Sequence, residues 1–327
     1  MAARLYYLSA VAFFLVTGGA GFIGSNLVEA LLARGDRVRV LDNFSTGKRL
    51  NLRGMLEKIE LIEGSITDLE TCTRAAAGVD YVLHQAALPS VPKSVAMPIE
   101  TNQANVVGTL NMLVAARDAK VKRFVYAASS SAYGDTPTLP KVETMPGMPK
   151  SPYAVQKYTG ELYLKVFYEA YGLETVGLRY FNIFGPRQDP TSFYSAVIPK
   201  FTTAFMNDQS PVIFGDGQQS RDFTFIANVI HANLLACTAP KIAAGRVMNI
   251  ACGERVTLLE LAEVIAKALG SSRKPELQPE RVGDVKHSLA AIGLAKELIG
   301  YEPKVYFKEG IERAVAWYRA NPGWHSA

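Results

Sequence analysis

The chain has 327 residues, of which 49% are hydrophobic and 20% charged, and its formal net charge is +5. These values exclude the disordered and coiled-coil classes and leave room for one large α/β unit or two lobes. Lys and Arg are scattered, which argues against a nucleic-acid partner and suits an anionic small molecule. The three cysteines have no metal-like spacing, so we expect free thiols, no metal site and a reducing compartment.

The first apolar run, residues 5–16, passes directly into a glycine-rich stretch. No small-residue cleavage pattern precedes that stretch, and the run is too short to cross a bilayer. We interpret it as a packed lead-in followed by a first buried strand. Because no other apolar run is long enough to span a membrane, we expect a cytoplasmic protein without a membrane partner.

Short apolar runs alternate with helical patterns between about residues 12 and 250. Continuous apolar strands between amphipathic helices are typical of a parallel sheet covered on both faces. The sequence therefore predicts the α/β class, with a doubly wound parallel sheet of the Rossmann type. After residue 183 the pattern loosens into segments rich in Gly, Pro and polar residues, which predicts a smaller C-terminal substrate lobe. The predicted nucleotide-binding lobe is 1–182 with part of 224–262, and the predicted substrate lobe is 183–223 with 263–327.

Gly18, Gly21 and Gly24 stand at the spacing GxxGxxG, between the first predicted strand and a helix predicted over residues 25–34. Glycine at these positions allows a tight turn, close approach of the backbone to a pyrophosphate, and close packing of helix on strand. Asp42 closes the second strand, 21 residues after Gly21. Its carboxylate can accept hydrogen bonds from ribose hydroxyls and would repel a 2′-phosphate, so the sequence predicts NAD rather than NADP.

Three consecutive serines, which begin at Ser129, follow the strongly β-forming run of residues 121–128. Taken by themselves, they are equally typical of a polar turn. In an open parallel sheet, however, ligands bind at the carboxyl ends of the strands. We therefore predict that Ser129 lies beside a bound substrate.

The next helix is predicted to begin after Ser151 as N-cap and to end at Gly172. Tyr153 and Lys157 are four residues apart and so lie on one face. A tyrosine with a pKa near 10 is ionised to only about 0.1% at pH 7, a penalty of roughly 4 kcal/mol for a general base. A nearby ammonium group and the positive ring of oxidised nicotinamide both favour the phenolate. We predict Tyr153 as the base, Lys157 as its helper and ribose ligand, and Ser129 as the third catalytic residue.

Several segments spread over nearly the whole chain carry a family pattern. They are "TGGAGFIGSNL", "LDNFSTG", "HQAALPSVPKS", "NVVGTLNML", "AASSSAYGD", "SPYAVQKY", "LRYFNIFGPRQDP", "GDGQQSRDF" and "GDVKHSL". With them the sequence resembles the extended short-chain dehydrogenase/reductase family. Within it, the chain is most similar to the NAD-dependent UDP-hexose 4-epimerases, particularly those acting on UDP-N-acetylglucosamine.

The resemblance implies an NAD site and a UDP-sugar site on specific residues. The residues implied to contact NAD are Gly18, Gly21, Phe22, Ile23, Gly24, Asp42, Asn43, Ser65, Ile66, Gln85, Ala86, Ala87, Asn105, Tyr153, Lys157 and Tyr180. The residues implied to contact the UDP-sugar are Ser90, Ser129, Ser130, Asn182, Ala196, Val197, Arg221, Arg281, Asp284 and Ser288, with Gln85 and Pro89 at the sugar end.

The resemblance also bears on the reaction. The family's dehydratases place Asp-Glu directly after the catalytic Ser or Thr, and its decarboxylases place a Glu two residues after it. Here those positions are Ser130 and Ser131, which cannot act as that acid or base. Ser65 replaces the Asp that usually reaches the adenine amino group, so adenine binding is expected to differ.

Epimerisation at C4 through a 4-keto sugar is therefore expected, most of all between UDP-GlcNAc and UDP-GalNAc and also between UDP-Glc and UDP-Gal. The small Ser288 leaves room for an acetamido group where restricted epimerases carry a tyrosine. Three alternatives stay open: an epimerase restricted to plain hexoses, a UDP-glucuronate 4-epimerase, and a non-catalytic NAD-binding regulator.

A homodimer is the expected assembly, because relatives in this family pair two helices with those of a second copy. The corresponding helices here are predicted over residues 105–120 and 152–171. Both carry apolar residues on more than one face, namely Leu110, Leu113, Leu162, Leu164 and Phe167.

Overall fold

The computed structural model describes residues 11–189, 197–280 and 286–324. Apolar runs of four to seven residues form the seven strands of the main sheet, all of them parallel. In chain order these strands are β1 (Phe13–Thr17), β2 (Arg37–Asp42), β3 (Glu60–Glu63), β4 (Tyr81–His84), β5 (Arg123–Ser129), β6 (Thr175–Tyr180) and, after four short strands, β11 (Arg246–Ile250). The predicted α/β class with a parallel Rossmann-type sheet is confirmed.

The strand order β11-β6-β5-β4-β1-β2-β3 reverses direction between β1 and β4. At such a switch point the loops after the two strands diverge and leave a crevice at their carboxyl ends. Thr17 pairs with His84 there, so the glycine-rich loop after β1 and the loop after β4 form opposite walls of the crevice.

Helices cover both faces of the sheet. They are α1 (Phe22–Ala33), α2 (Leu69–Ala76), α3 (Val91–Ala96), α4 (Pro98–Asn102), α5 (Gly108–Asp118), α6 (Pro152–Tyr171), α7 (Val197–Met206), α8 (Ile226–Thr238), α9 (Leu258–Leu269), α10 (Gly293–Ile299) and α11 (Phe307–Ala320). Because side chains alternate along a strand, β1 contributes to two cores. Phe14 and Val16 pack in the cluster that contains α1 and α8, whereas Phe13 and Leu15 pack in the cluster that contains α2, α5 and α6.

Two helix boundaries differ from the sequence prediction. Helix α1 begins at Phe22 rather than residue 25, because Gly21 is already in the extended N-cap conformation. The helix predicted over 105–120 is the end of a longer run, in which α4 begins at Pro98 and a π-helical turn, Gln103–Val107, joins it to α5. Proline is favoured in the first turn of a helix, where its missing N–H costs nothing.

The smaller lobe is built from short strands contributed by distant segments. They are β7 (Ile183–Phe184), β8 (Val212–Phe214), β9 (Ser220–Arg221), β10 (Thr224–Phe225), β12 (Val256–Thr257) and β13 (Glu276–Gln278), paired as β7–β10, β8–β13 and β9–β12. The first hydrophobic cluster continues from the main sheet through this lobe to α11. The division into two lobes at the predicted boundaries stays a proposal.

The first part of the predicted lead-in, residues 1–10, lies outside the described ranges. Within those ranges, no helix combines the length and apolar character needed to cross a membrane. The same residues contain no group of three or more His, Cys, Asp or Glu side chains placed to hold a metal ion.

Candidate active site

The glycine-rich loop fits a pyrophosphate. Gly18 has a φ of +66°, and a Cβ there would lie 2.8 Å from the Cα of Ala86 across the crevice. A Cβ on Gly24 would lie 2.1 Å from the carbonyl oxygen of Gly18, so both positions require glycine. No side chain caps the first turn of α1, which begins at Phe22, after the N-cap Gly21, and continues through Ile23. Its N–H groups are thus available to an anion, as NAD binding requires.

Asp42 ends β2 with both carboxylate oxygens oriented by the backbone. Its Oδ2 accepts from Ala20 N at 2.9 Å and its Oδ1 from Phe44 N at 2.8 Å. Burial raises the pKa of this carboxyl group, and the two N–H donors oppose that shift. Each oxygen keeps a lone pair, so Asp42 can still accept from ribose hydroxyls. The adjacent Asn43 is exposed.

Ser65 and Ile66 follow β3 at the expected adenine end of the crevice. The Ser65 hydroxyl lies 2.8 Å from Thr67 Oγ1 and accepts from Thr67 N at 3.2 Å. Its hydrogen-bonding capacity is therefore partly used within its own turn. Ile66 is buried, and its carbonyl oxygen accepts from Asn111 Nδ2 at 3.0 Å.

The loop after β4 carries Gln85, Ala86 and Ala87, all half-buried. Gln85 Nε2 donates to Asn233 Oδ1 at 3.3 Å, and its Oε1 lies 3.4 Å from the Tyr180 hydroxyl. Asn233 Nδ2 also donates to the Tyr180 hydroxyl at 2.8 Å. Gln85 and Tyr180 thus form a polar cluster with Asn233 of α8, a residue that the sequence analysis did not identify.

Asn105, predicted to contact NAD, is buried and hydrogen-bonded within the protein. The side chain is 0% exposed; its Oδ1 accepts from Leu88 N at 2.7 Å, and its Nδ2 donates to Leu88 O and to Gln156 Oε1 at 3.2 and 2.8 Å. Both amide hydrogens are used. Contact of Asn105 with the cofactor stays a prediction; in this structure the residue fixes the loop between β4 and α3 to the helix α6.

The three predicted catalytic residues converge where β5 ends and α6 begins. Ser151 caps α6 by accepting from Ala154 N, and Tyr153 N donates to Ser94 Oγ at 3.0 Å, which ties α6 to α3. Burial raises the pKa of Tyr153, whereas its hydrogen bond with Ser129 lowers it. Ser129 at the end of β5 and Tyr153 at the start of α6 are therefore neighbours.

Ser131 gives the third serine a structural role that the sequence analysis missed. Its backbone N–H and its hydroxyl both donate to Ser129 Oγ, at 3.2 and 2.9 Å. With both acceptor sites of Ser129 occupied, its own hydrogen is directed away, toward Tyr153 or a substrate oxygen. The neighbouring Ser130, predicted as a sugar contact, is half-buried.

Lys157 is buried beneath Tyr153. Its Nζ donates to Ala127 O at 2.8 Å and lies 4.8 Å from the centre of the Tyr126 ring. Burial lowers the pKa of Lys157 to about 8, and the carboxylate of Glu161, one turn further along α6, opposes that shift. Glu161 in turn pairs with Arg179 of β6.

The residues predicted to hold the UDP-sugar lie in the smaller lobe and at the loop after β4. Asn182, with a φ of +39°, donates from Nδ2 to Asp222 O at 3.0 Å. Arg221 donates from Nη1 to Ser220 O and Lys286 O, and Ser288 N donates to Ser220 O, so Arg221 and Ser288 are held next to each other. The remaining described members are Val197 at the start of α7, Ser90 as N-cap of α3 and the exposed Pro89; Ala196, Arg281 and Asp284 lie outside the described residues.

Two cavities adjoin these elements. One of about 330 Å³ is lined by Phe214, Asp216, Gln219, Lys286 and His287, next to Arg221 and Ser288 along the chain. A larger cavity of about 700 Å³ lies at the far end of α6 against the edge strand β11, and no predicted site residue lines it. Among the described residues, no predicted site residue lines the smaller cavity either, so it is only a neighbour of Arg221 and Ser288 in the chain.

Comparisons with known proteins agree with the fold and the glycine-rich loop. A family model described as the NAD dependent epimerase/dehydratase family matches residues 14–251. A UDP-glucose 4-epimerase of Mycolicibacterium smegmatis is 38% identical over 309 residues, which cover 93% of this chain and 98% of that protein.

Two solved structures are similar over nearly their whole length. The UDP-N-acetylglucosamine 4-epimerase from Methanobrevibacter ruminantium, solved with UDP-N-acetylmuramic acid, is 42% identical with a TM-score of 0.90, covering 95% of this chain and 99% of that one. The UDP-glucose 4-epimerase of Thermus thermophilus, solved with NAD, is 37% identical with a TM-score of 0.84, covering 94% and 99%. The resemblance predicted from the motifs is confirmed: the chain belongs to the NAD-dependent epimerase/dehydratase family, and its cofactor is NAD.

Proposed function

We propose that the protein epimerises UDP-sugars at C4, interconverting UDP-GlcNAc with UDP-GalNAc and also UDP-Glc with UDP-Gal. The coarser assignment, an isomerase of the UDP-sugar 4-epimerase type, is supported by the family and by relatives that carry that name. The observation that carries the chemistry is the convergence of Ser129, at the carboxyl end of the central strand β5, with Tyr153 and the buried Lys157 on α6, where Lys157 Nζ donates to Ala127 O of the same strand.

The residues can move a proton to and from the sugar 4-hydroxyl. NAD, which the glycine-rich loop and Asp42 would hold, would supply hydride acceptance and hydride return at C4 of the sugar. Tyr153 accepts the hydroxyl proton in the first half of the cycle and gives it back in the second. The Lys157 ammonium stabilises the tyrosinate, and Ser129 donates its free hydrogen to the reacting oxygen.

Positions 130 and 131 favour a reaction that stops at turnover of the keto sugar. Elimination or decarboxylation would need a carboxyl group beside the catalytic serine. Ser130 and Ser131 supply hydroxyls, and the Ser131 hydroxyl already donates to Ser129. Arg221, which we propose as the diphosphate ligand, can keep the nucleotide bound while the keto sugar rotates.

Ser288 supports acceptance of N-acetylated sugars. It lies beside Arg221, because both residues bond to the backbone of Ser220. A serine there leaves space for a 2-acetamido group without excluding the plain hexoses, so we propose both substrate pairs.

We also propose a homodimer, which Leu162 supports among the residues named in the sequence analysis. Leu113, Leu164 and Phe167 are buried in the core, and Leu110 is half-buried. An exposed apolar stripe instead runs along α6 and onto the segment of α3 and α4. Its members are Val155 at 49%, Leu162 at 53%, Val166 at 50%, Val95 at 63% and Ile99 at 79% exposure. Contiguous exposed apolar side chains of this kind mark association surfaces.

The test is to incubate the purified protein separately with UDP-GlcNAc, UDP-GalNAc, UDP-Glc, UDP-Gal and UDP-glucuronate, and to separate the products by chromatography. We expect both acetylated and plain pairs to interconvert, the acetylated pair at least as fast. Turnover of the plain pair alone would instead identify a restricted epimerase, and turnover of UDP-glucuronate alone a glucuronate epimerase. A protein inert toward all five would overturn the proposal in favour of an NAD-binding regulator.

A further inference from the structure

A buried ion pair lies directly behind the catalytic lysine. Arg179 of β6 binds Glu161 of α6 in a bidentate manner, with Nε–Oε1 and Nη2–Oε2 distances of 2.9 and 2.6 Å. The two side chains are only 6% and 3% exposed. Burying two charges costs several kcal/mol per ion, and apolar residues of similar volume are often as stable. Stability alone therefore does not account for this pair.

The surroundings hold Arg179 rigidly. Its guanidinium lies 4.5 Å from the centre of the Tyr133 ring, and the Tyr133 hydroxyl donates to Asn249 Oδ1 at 2.7 Å. Asn249, on the edge strand β11, bonds further to Lys141 O and Ala291 O. The carboxylate of Glu161 is consequently kept in one orientation, one helical turn from Lys157.

Each element packed against Lys157 presents a group of known charge. From β5 come the Ala127 carbonyl oxygen and the neutral Tyr126 ring. From β4 comes His84, whose pKa burial lowers to about 3, so it is neutral. Its ring lies between Thr17 and Thr109.

The remaining neighbours of Lys157 are on α6 itself and on β6. Tyr153 stands one turn before Lys157, and Glu161 one turn after it. Arg179 of β6 carries a positive charge and is paired with Glu161. Among the described residues, Glu161 thus supplies the negative charge next to Lys157. Burial raises the pKa of Glu161, and its bidentate pairing with Arg179 opposes that rise and favours the carboxylate.

We propose that Glu161, fixed by Arg179, is a positioning residue that keeps Lys157 protonated and directed toward Tyr153 and the nicotinamide ribose. The inference rests on the proposed catalytic role of Lys157. In a protein interior, an ammonium without a facing anion loses its proton readily, and the tyrosinate then loses the cation that stabilises it. Glu161 offsets that loss without touching substrate or cofactor.

Removing the charge of Glu161 therefore has a defined sign. A carboxylate raises the pKa of a neighbouring ammonium, so Glu161→Gln lowers the pKa of Lys157. The alkaline limb of the kcat/KM profile, where Lys157 loses its proton, moves to lower pH by about one unit. Activity at pH 9 relative to pH 7 falls about fivefold further than in the wild type.

The matched control is Glu161→Asp, which keeps the charge but shortens the side chain. We expect its alkaline limb near that of the wild type, even if its melting temperature drops. A purely structural role predicts a different pattern. The isosteric Glu161→Gln would then lower kcat less than Glu161→Asp does, and the loss in each variant would be the same at every pH. An unchanged limb in Glu161→Gln, or an equal shift in both variants, overturns the proposal.

Two additions keep the test decisive. Glu161→Gln leaves Arg179 unpaired and could fail to fold for that reason. The double variant Glu161→Gln/Arg179→Leu removes both charges and should still move the alkaline limb to lower pH. An unchanged alkaline limb in the double variant contradicts the proposal. The second addition, the rate of NAD release measured without substrate, separates this inference from the proposed reaction. As the pH is raised, the rate of NAD release should begin to increase at a lower pH in Glu161→Gln than in the wild type or Glu161→Asp. Identical pH dependences in the three proteins would count against the proposal.

Discussion

The two ends of the crevice are built differently. At the catalytic end, four buried side chains lie on strands of the main sheet or on the 20-residue helix α6, namely His84, Lys157, Glu161 and Arg179. Each has partners on neighbouring elements. At the substrate end, Arg221 lies on a two-residue strand whose partner strand comes from a distant segment. Side chains on a packed sheet are held rigidly, whereas side chains on short strands and loops are more easily substituted. If the proposed reaction is correct, we expect the catalytic end to determine the rate for every sugar and the substrate end to select the sugar.

The strongest test of this comparison is Tyr153→Phe. We expect turnover to fall about a hundred- to ten-thousand-fold on every UDP-sugar, the range for loss of a general acid–base. The ring is retained, so NAD should stay bound. Initial rates on all substrates, together with the NAD content of the purified variant, check both statements. Turnover near the wild-type value would refute the proposed proton path.

A substitution at the other end should change selectivity instead. Ser288→Tyr fills the proposed space for the acetamido group, and overfilling costs on the order of 1–3 kcal/mol. Since about 1.4 kcal/mol is tenfold, we expect kcat/KM for the acetylated pair to fall roughly ten- to a hundredfold, with the plain hexoses much less affected.

Ser288→Ala, which keeps the space open, is the control for that variant and should leave both pairs unchanged. Equal losses on acetylated and plain sugars in Ser288→Tyr would show that Ser288 does not select the substrate.

Ser131 offers a smaller change within the catalytic end. Ser131→Ala removes the hydroxyl that donates to Ser129 at 2.9 Å. A neutral hydrogen bond contributes about 0.5–1.5 kcal/mol, so kcat should fall about two- to tenfold on all sugars alike. Ser131→Thr retains the hydroxyl and should recover most of the rate. A loss confined to one sugar pair would place Ser131 among the selectivity residues instead.

The smallest effect on turnover is expected from the apolar stripe of α6, because its exposed side chains lie outside both ends of the crevice. Leu162→Glu should convert the proposed dimer, with twice the 35.6 kDa chain mass, into a monomer. Light scattering at micromolar concentration measures the mass. Lys308→Glu, on the exposed side of α11, is the control and should leave it unchanged. A wild type that already has the mass of one chain would rule out the dimer.

Several parts of the molecule could be predicted from neighbouring residues in the chain. The glycine spacing, Asp42 after β2, the Ser151 cap and the Tyr153–Lys157 pair each depend on a turn or on one helical repeat, and the structure has β1, β2 and α6 where the patterns indicated. Such features depend on local backbone geometry, which sequence spacing specifies directly. The start of α1 was placed three residues late because Gly21 was not considered as an N-cap.

Other features were decided only by tertiary packing. Spacing alone could have indicated that Glu161 faces Lys157, since they are four residues apart, but not that Arg179 would pair with it. Asn105 belongs to a segment that carries the family pattern, but its side-chain amide donates to Leu88 O and Gln156 Oε1. Tyr133 finds its acceptor on Asn249, which lies 116 residues further along the chain. The sequence determined which chemical groups are present, whereas their partners and protonation depend on burial between elements that only the folded sheet brings together.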